Sequence, residues 1–453
     1  MVNLESLIVG CIVSLFALLY LLRRGRPSLG LPIAYLYSLL LNHVPGAFAH
    51  VEGRDFLMHS DFVESAMKFT TIGSICFVIG VWLAQTGVQR TREGEDVERR
   101  RFWLFCLLAG WTCFFVLIPL YNIPSFNAVG EKGSAVWMLG VLLGLRYAVR
   151  RGKVKDIVLW CAALTVFPAV MLVFAGFMSY GSAAVIVVCS ALVLLTRRYW
   201  HGVLAIVLFT YVSMSIFVNY FDHRNEIRKQ VWGGAPLDVR IDTVVNSFTD
   251  FQLFDPSNRE QLIYLDRRLN QNFFVGLAAR RIDDGQVSYL KGESLWEGLL
   301  ALVPRIFWPD KPVYGGSPKI VSKMTGIQFN SQTSIGVGNV MEFQINFGTP
   351  GVVCGFLALG WLIGILDLKA ATAERRGDLN KLLMFFLPCL ALVQPGSSLV
   401  ELCGGAAAAF VAAFIWSLVW KRVIAGKSDR WRQMRPISWG LRETSPYKQK
   451  SIP

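Results

Sequence analysis

Apolar residues in this chain fall in blocks of about 17–22 positions, the length that crosses a bilayer core as a helix, and short polar connectors join the blocks. Eleven spans are predicted, at 4–22, 31–48, 64–86, 102–121, 134–149, 157–176, 182–196, 202–220, 350–366, 380–396 and 402–420. Between the eighth and the ninth the pattern stops for one long polar stretch, 221–349. Tyr, Phe, Trp and Leu recur through that stretch without a low-complexity run, so it reads as a folded domain. The expected architecture is an all-α polytopic membrane protein with a large, mainly helical extracytoplasmic loop. It divides into a membrane domain (1–220), the loop (221–349), the last spans (350–420) and a basic tail (421–453).

Two spans carry helix-breaking residues. The second holds Asn42, His43 and Pro45, and the tenth holds Pro388, Gln394 and Pro395. Broken helices are tolerated at membrane depth where protein or a cavity re-satisfies the freed backbone groups, so both are expected to line a cavity. In the loop, Asp255-Pro256 predicts a helix start, a capping acid followed by a first-turn proline. Leu262, Leu265, Leu269, Phe273 and Leu277 then recur at three- and four-residue spacing and predict one apolar stripe. Arg267, Asn270, Gln271 and Phe274 fall on another face of that expected helix. Ser294-x-x-Glu297 has capping-box spacing and opens a short apolar run that ends at Pro304. The run is too short to span and predicts a helix in the membrane interface, with Trp296, Phe307 and Trp308 at headgroup level.

Composition agrees with a membrane protein. Of 453 residues 54% are hydrophobic and 17% charged, against about 25% charged in a soluble domain. A net charge of +14 raises nucleic-acid binding, but the placement of the charge argues against it. Of the 45 Lys and Arg, 28 lie in alternate connectors and the tail, whereas the loop balances 14 basic against 14 acidic residues. Alternation of this kind is a topology signal. It predicts an outside N-terminus, an inside C-terminus and an outside loop. The first span lacks a basic leader and a small-residue cleavage site, so it is expected to be retained rather than cleaved. All nine cysteines fall in predicted spans without a CxxC, which points away from disulfides and zinc.

Candidate chemistry concentrates in the loop. Arg267, Arg268, Arg280, Arg281, Lys291, Arg305 and Lys311 stand beside apolar or interfacial segments. Arginine suits phosphate because its planar fork donates two parallel hydrogen bonds and stays charged. Asp266, Asp283, Asp284, Glu297, Asp310 and Glu342 are the acids available to deprotonate a hydroxyl. Asp283-Asp284 followed by Gly285 reads as a turn before it reads as a metal site. Glu342 stands out, because it lies a few residues before the ninth span and is expected to face the same cavity from the other side. His43, His50 and His223 lie near span ends, where packing is the ordinary role. There is no P-loop, no HExxH and no GxSxG, so energy would have to come from the substrate.

RRLNQ (267–271), the Tyr-x-x-Gly element of YLKGES (289–294), PRIFWPDKP (304–312) and EFQINFG (342–348) together resemble the Wzy-type O-antigen and exopolysaccharide polymerases. The likeness covers most of the chain in architecture and about a third of it in sequence. It implies a GT-C-like arrangement and a reaction that moves a growing glycan from its lipid diphosphate to an incoming unit. The partners it implies are undecaprenyl-diphosphate-linked oligosaccharide, membrane lipid, a chain-length regulator and other polysaccharide-assembly proteins, with no nucleic acid, cofactor or metal. Carried over by position, Arg268 and Arg305 would contact the diphosphate. Glu342 is the candidate base, and Arg267, Asn270, Gln271, Tyr289, Lys291, Trp308 and Lys311 would bind substrate. O-antigen ligases share the architecture, although His223 lacks their loop-histidine context. A flippase or other transporter fits the span count but not a folded loop of this size.

Overall fold

The computed structural model describes residues 3–24, 27–53, 56–86, 99–117, 124–176, 179–249, 251–303, 308, 310, 316–329 and 335–425, and these form helices with no strand among them. Helix α1 spans Leu4–Arg23, with Glu5 in its first turn and Arg23 in its last, each matched to the helix dipole. The second predicted span is two short helices, α2 (Leu31–Leu41) and α3 (Val44–Glu52), broken at Asn42–His43. Then follow α4 (Ser60–Ala84), α5 (Arg99–Thr112) with a π turn to Leu117, α6 (Pro124–Ser134), α7 (Val136–Arg151), α8 (Val154–Ala175) and α9 (Ser179–Val193). Helix α10 runs unbroken for 34 residues, Tyr199–Trp232, well past the apolar block that predicts it.

The loop adds α11 (Leu237–Asn246), α12 (Arg259–Arg268), α13 (Asn272–Asp283), α14 (Glu293–Ala301) and α15 (Gly316–Thr325). The chain closes with α16 (Asn339–Arg376), α17 (Leu379–Leu392) and α18 (Leu399–Val419). Among the described residues seven helices are long and apolar enough to cross a membrane, and three shorter apolar helices accompany them. The outward residues of these helices are apolar, including Val9, Val158, Leu208 and Phe414. Such a belt belongs in lipid, and the chain is a helical multi-pass membrane protein.

Helices α4 and α16 form the central pair, and small residues set their separation. A Cβ added at Gly80 would fall 2.3 Å from the Leu357 carbonyl oxygen, and one at Gly360 would fall 2.3 Å from that of Phe77. Two backbones approach this closely only where side chains are absent, as in tightly packed membrane helices. Tyr35 of α2 stacks on Phe77 at 4.6 Å beside this seam. At one end of the bundle the buried Asp367 accepts from the Leu29 and Leu31 amides and so caps α2, whose own N-cap is Gly30. The loop packs on the opposite end. Gly276 of α13 lies so close to α4 that a Cβ there would be 2.0 Å from the Phe62 carbonyl oxygen.

Three local expectations need correction. The helix after Asp255-Pro256 begins at Arg259, because Asn258 caps it through the Glu260 and Gln261 amides. Asp255 instead closes a turn onto the Ser257 amide and hydroxyl. The stripe from Leu262 to Leu277 is not one helix. It breaks at Leu269–Gln271, where Leu269 accepts from the Gly46 amide and the Gln271 amide donates to Asn42. Ser294 does not cap α14. Gly292 is the N-cap, and the Ser294 hydroxyl accepts from Asn346. A capping box does form at Ser398 and Glu401, which open α18.

Candidate functional site

The site grows from chain breaks that meet inside the protein. The α2/α3 break at Asn42–His43, the α12/α13 break at Asn270–Gln271, the segment before α16 and the turn between α17 and α18 share backbone contacts. The Asn339 amide donates to the Pro395 carbonyl, and the Gln271 amide to that of Asn42. A Cβ at Gly336 would sit 1.9 Å from the Gly396 oxygen, so those strands of chain touch directly. Gln271 wedges among them, with Gly338 on one side and Gly396 on the other. His43 Nδ1 bonds Asn272 Oδ1 at 2.8 Å, and Asn272 Nδ2 donates back to the His43 carbonyl. The Tyr35 hydroxyl donates to Asn339 Oδ1 at 2.7 Å. Irregular backbone inside the protein is stabilised by these partners, although His43 Nε2, Asn270 Oδ1 and Gln271 Oε1 have none among the described residues.

Glu342 lies one turn along α16 from this node and is fully buried. Its Oε2 accepts from the Leu399 amide at 2.7 Å, at the positive N-terminus of α18. Its Oε1 has no hydrogen-bond partner among the described residues. One turn further, Asn346 donates to the Glu342 carbonyl and to Ser294, and accepts from the Gly292 amide at 2.9 Å. The Tyr-x-x-Gly element therefore lies along α16, where Leu290 also donates to the Ile345 carbonyl. Just beyond, α16 kinks at Phe347 and Gly348 (φ 65°), ahead of Pro350. Ser294 also floors a cleft of about 80 Å³ between α14 and α15, whose walls carry Glu293, Glu297, Lys319 and Lys323. Burial and the Glu293 charge push the Glu297 carboxyl up, against the pull of the two lysines.

A second centre is basic. Arg224 and Arg228 stand one turn apart on the extension of α10, and Arg268 ends α12 beside them. Arg224 and Arg268 both lie over the Phe221 ring, at 5.5 and 5.9 Å, and Arg228 lies over Trp232 at 5.1 Å. Partial burial and the like charge of Arg228 pull the Arg268 guanidinium below its ordinary value. Crowded cations of this kind are relieved by an anion. Arg268 is joined to the buried node by the three-residue link to Gln271, which spans at most about 11 Å.

The predicted site residues separate into these groups. Arg268 joins the basic cluster and Arg267 is exposed. Asn270 is buried against Asp266 at 2.7 Å, and Gln271 is in the node. Tyr289 is exposed beside Gly348, Lys291 is exposed with φ 48°, and Trp308 is exposed. Arg305 and Lys311 lie outside the described residues. Asp283 and Asp284 are exposed, and Asp284 pairs with Arg280 at 3.2 Å. Sequence reading missed Arg224 and Arg228, although Phe221, Arg224, Arg228 and Trp232 repeat at three- and four-residue spacing. It also missed that Asn339, Glu342 and Asn346 share that spacing.

Residues 47–375 match a protein-family model described as a domain of unknown function, DUF8712. The chain belongs to this family. The DUF8712 match takes in α4, the basic cluster, the loop helices and Glu342, and it ends at the last turn of α16. No curated protein and no solved structure matches the chain.

Proposed function

We propose that this chain is a membrane-embedded glycan polymerase of a bacterial inner membrane. In this reading it joins undecaprenyl-diphosphate-linked oligosaccharide repeat units into a surface or exopolysaccharide. The observations that carry the reading are a crowded arginine cluster and a buried acid, Glu342, whose Oε1 has no hydrogen-bond partner among the described residues. The acceptor hydroxyl attacks the anomeric carbon of the growing glycan, and a new C–O bond forms there. The bond from that carbon to the lipid diphosphate breaks, and the departing charge meets Arg268, Arg224, Arg228 and, by the family resemblance, Arg305. Cations already in place lower the barrier to such a departure. The hydroxyl proton passes to Glu342, whose neighbour Ser294 lines the α14–α15 cleft. Trp296, Leu299 and Leu302 give α14 an exposed apolar edge suited to the membrane surface where the lipid diphosphate sits.

A second reading, transport of the same lipid-linked glycan, is favoured by the broken helices that meet around Gln271, since transporters bind substrate on such breaks. Membranes from a deletion strain carrying single variants separate the two. For a polymerase, Arg268→Ala and Glu342→Gln shorten the polymer on a gel while lipid-linked units accumulate on the outer face. For a transporter, the same variants strand those units on the inner face. Cysteine labelling at Ser257→Cys from the outside tests the proposed periplasmic loop, and labelling only from the cytoplasm refutes it.

A further inference from the structure

A groove of about 230 Å³ opens at the other end of α10, far from the loop. Its walls are Ile33 and Tyr37 of α2, Ile186 and Val193 of α9, and Ile206 and Phe209 of α10, with Thr196 at its mouth. From Ile186 to Val193 the α9 wall rises about 10 Å, two-thirds of the depth of one leaflet, and Thr196 lies just past its end. The mouth is basic and aromatic. Arg23 crosses from α1 and donates to Thr196 Oγ1 at 2.7 Å and to the Arg198 carbonyl at 2.9 Å, which braces the entrance. Arg197 and Arg198 beside it are exposed, and Arg24 lies over the Tyr20 ring at 4.5 Å. Trp200 and Tyr20 are exposed at the same level, as expected of headgroup depth.

No carboxylate occurs in 6–51 or 157–221, the stretches that supply these walls and the mouth. Asp367, which caps α2, is buried on the Leu29 and Leu31 amides. We propose that this groove holds one acyl chain of an anionic phospholipid whose phosphate rests on Arg197 and Arg198. The groove is too apolar for a headgroup, and among the described residues that line it or form its mouth there is positive charge and no acid. A polyprenyl diphosphate bound for the reaction is a different occupant. Arg198 and Arg224 are 26 residues apart along one helix, about 39 Å, so the groove mouth and the basic cluster open on opposite membrane faces. The inference is independent of the glycan reading.

The test is native mass spectrometry of the full-length purified protein with phosphatidylglycerol or phosphatidylcholine of identical chains. One phosphatidylglycerol should be retained, with at least a tenfold preference over phosphatidylcholine. Arg197→Gln with Arg198→Gln, both exposed side chains, in protein whose thermal unfolding matches the native chain, should abolish the preference. Ala205→Phe, which fills the groove, should reduce retention of both lipids. Equal retention of the two lipids by the native chain overturns the proposal, as does an unchanged preference in the double variant. Displacement of phosphatidylglycerol by a polyprenyl phosphate also overturns it. Should Ala205→Phe not fold, the double variant alone decides.

Discussion

Replacing Glu342 by Gln should stop polymerisation and leave the fold intact. The carboxamide introduced there would keep an oxygen for the Leu399 amide and fill the same volume, and its buried NH2, which meets no acceptor among the described residues, should cost no more than about 1–3 kcal/mol. What disappears is the basic oxygen, Oε1, that has no partner among the described residues. Loss of a positioned general base costs about 10²–10⁴ in rate. Glu342→Ala differs in kind. It leaves the buried Leu399 amide unpaired, at about 1–3 kcal/mol, and opens a void worth about 1 kcal/mol more. Its melting temperature should therefore fall by several degrees, and its activity should fall with that of the Glu342→Gln variant. The assay is single-turnover extension of a lipid-linked repeat unit by purified variants, read beside thermal unfolding in detergent. A Glu342→Gln protein that extends glycan at the native rate, while only Glu342→Ala is destabilised, would reduce Glu342 to a cap for α18 and refute the reasoning.

Arg268→Ala, Arg224→Ala and Arg305→Ala should each lower turnover about a hundredfold or more, with Lys recovering part of it, whereas exposed, Asp284-paired Arg280→Ala should stay near native. Polymer length on a gel at matched protein level is the measurement. Gly336→Ala and Gly276→Ala should each destabilise by about 1–3 kcal/mol in detergent melts, because a Cβ would meet a backbone oxygen at 1.9 or 2.0 Å. Gly404→Ala, whose Cβ would meet nothing nearer than 3.9 Å, should not. Burial raises Asp266, but hydrogen bonds from His50 and Asn270 and the charges of His50 and Arg267 outweigh it and hold the carboxyl low. Its contribution is present above the unfolded carboxyl range and is lost as pH falls below about 4. Asp266→Asn should accordingly flatten the acid limb of a stability–pH curve.

The seven membrane-length helices among the described residues were legible because apolar length is a direct demand of the bilayer. Asn42, His43 and Pro45 marked the α2/α3 break for the same reason. The break at Leu269 was not legible. No Gly or Pro stands there, the apolar spacing continues across it, and contacts distant in sequence, to Asn42, His43 and Gly46, hold it open. The same cause misplaced Asn270 and Gln271 on one face with Arg267. Ser294 and Glu297 had the right spacing for a cap, but Gly292 at φ 93° already ends the turn and Asn346 takes the Ser294 hydroxyl. Arg224 and Arg228 were hidden because the apolar block of α10 ends before them, while the helix does not.

Purified chain in proteoliposomes, supplied only with lipid-diphosphate-linked repeat units and no nucleotide sugar, tests the central claim most directly. The account predicts glycans of two or more units, one lipid diphosphate released for each bond formed, and loss of both in Glu342→Gln. Movement of intact single units across the bilayer, with no longer glycan and no released lipid diphosphate, would contradict it.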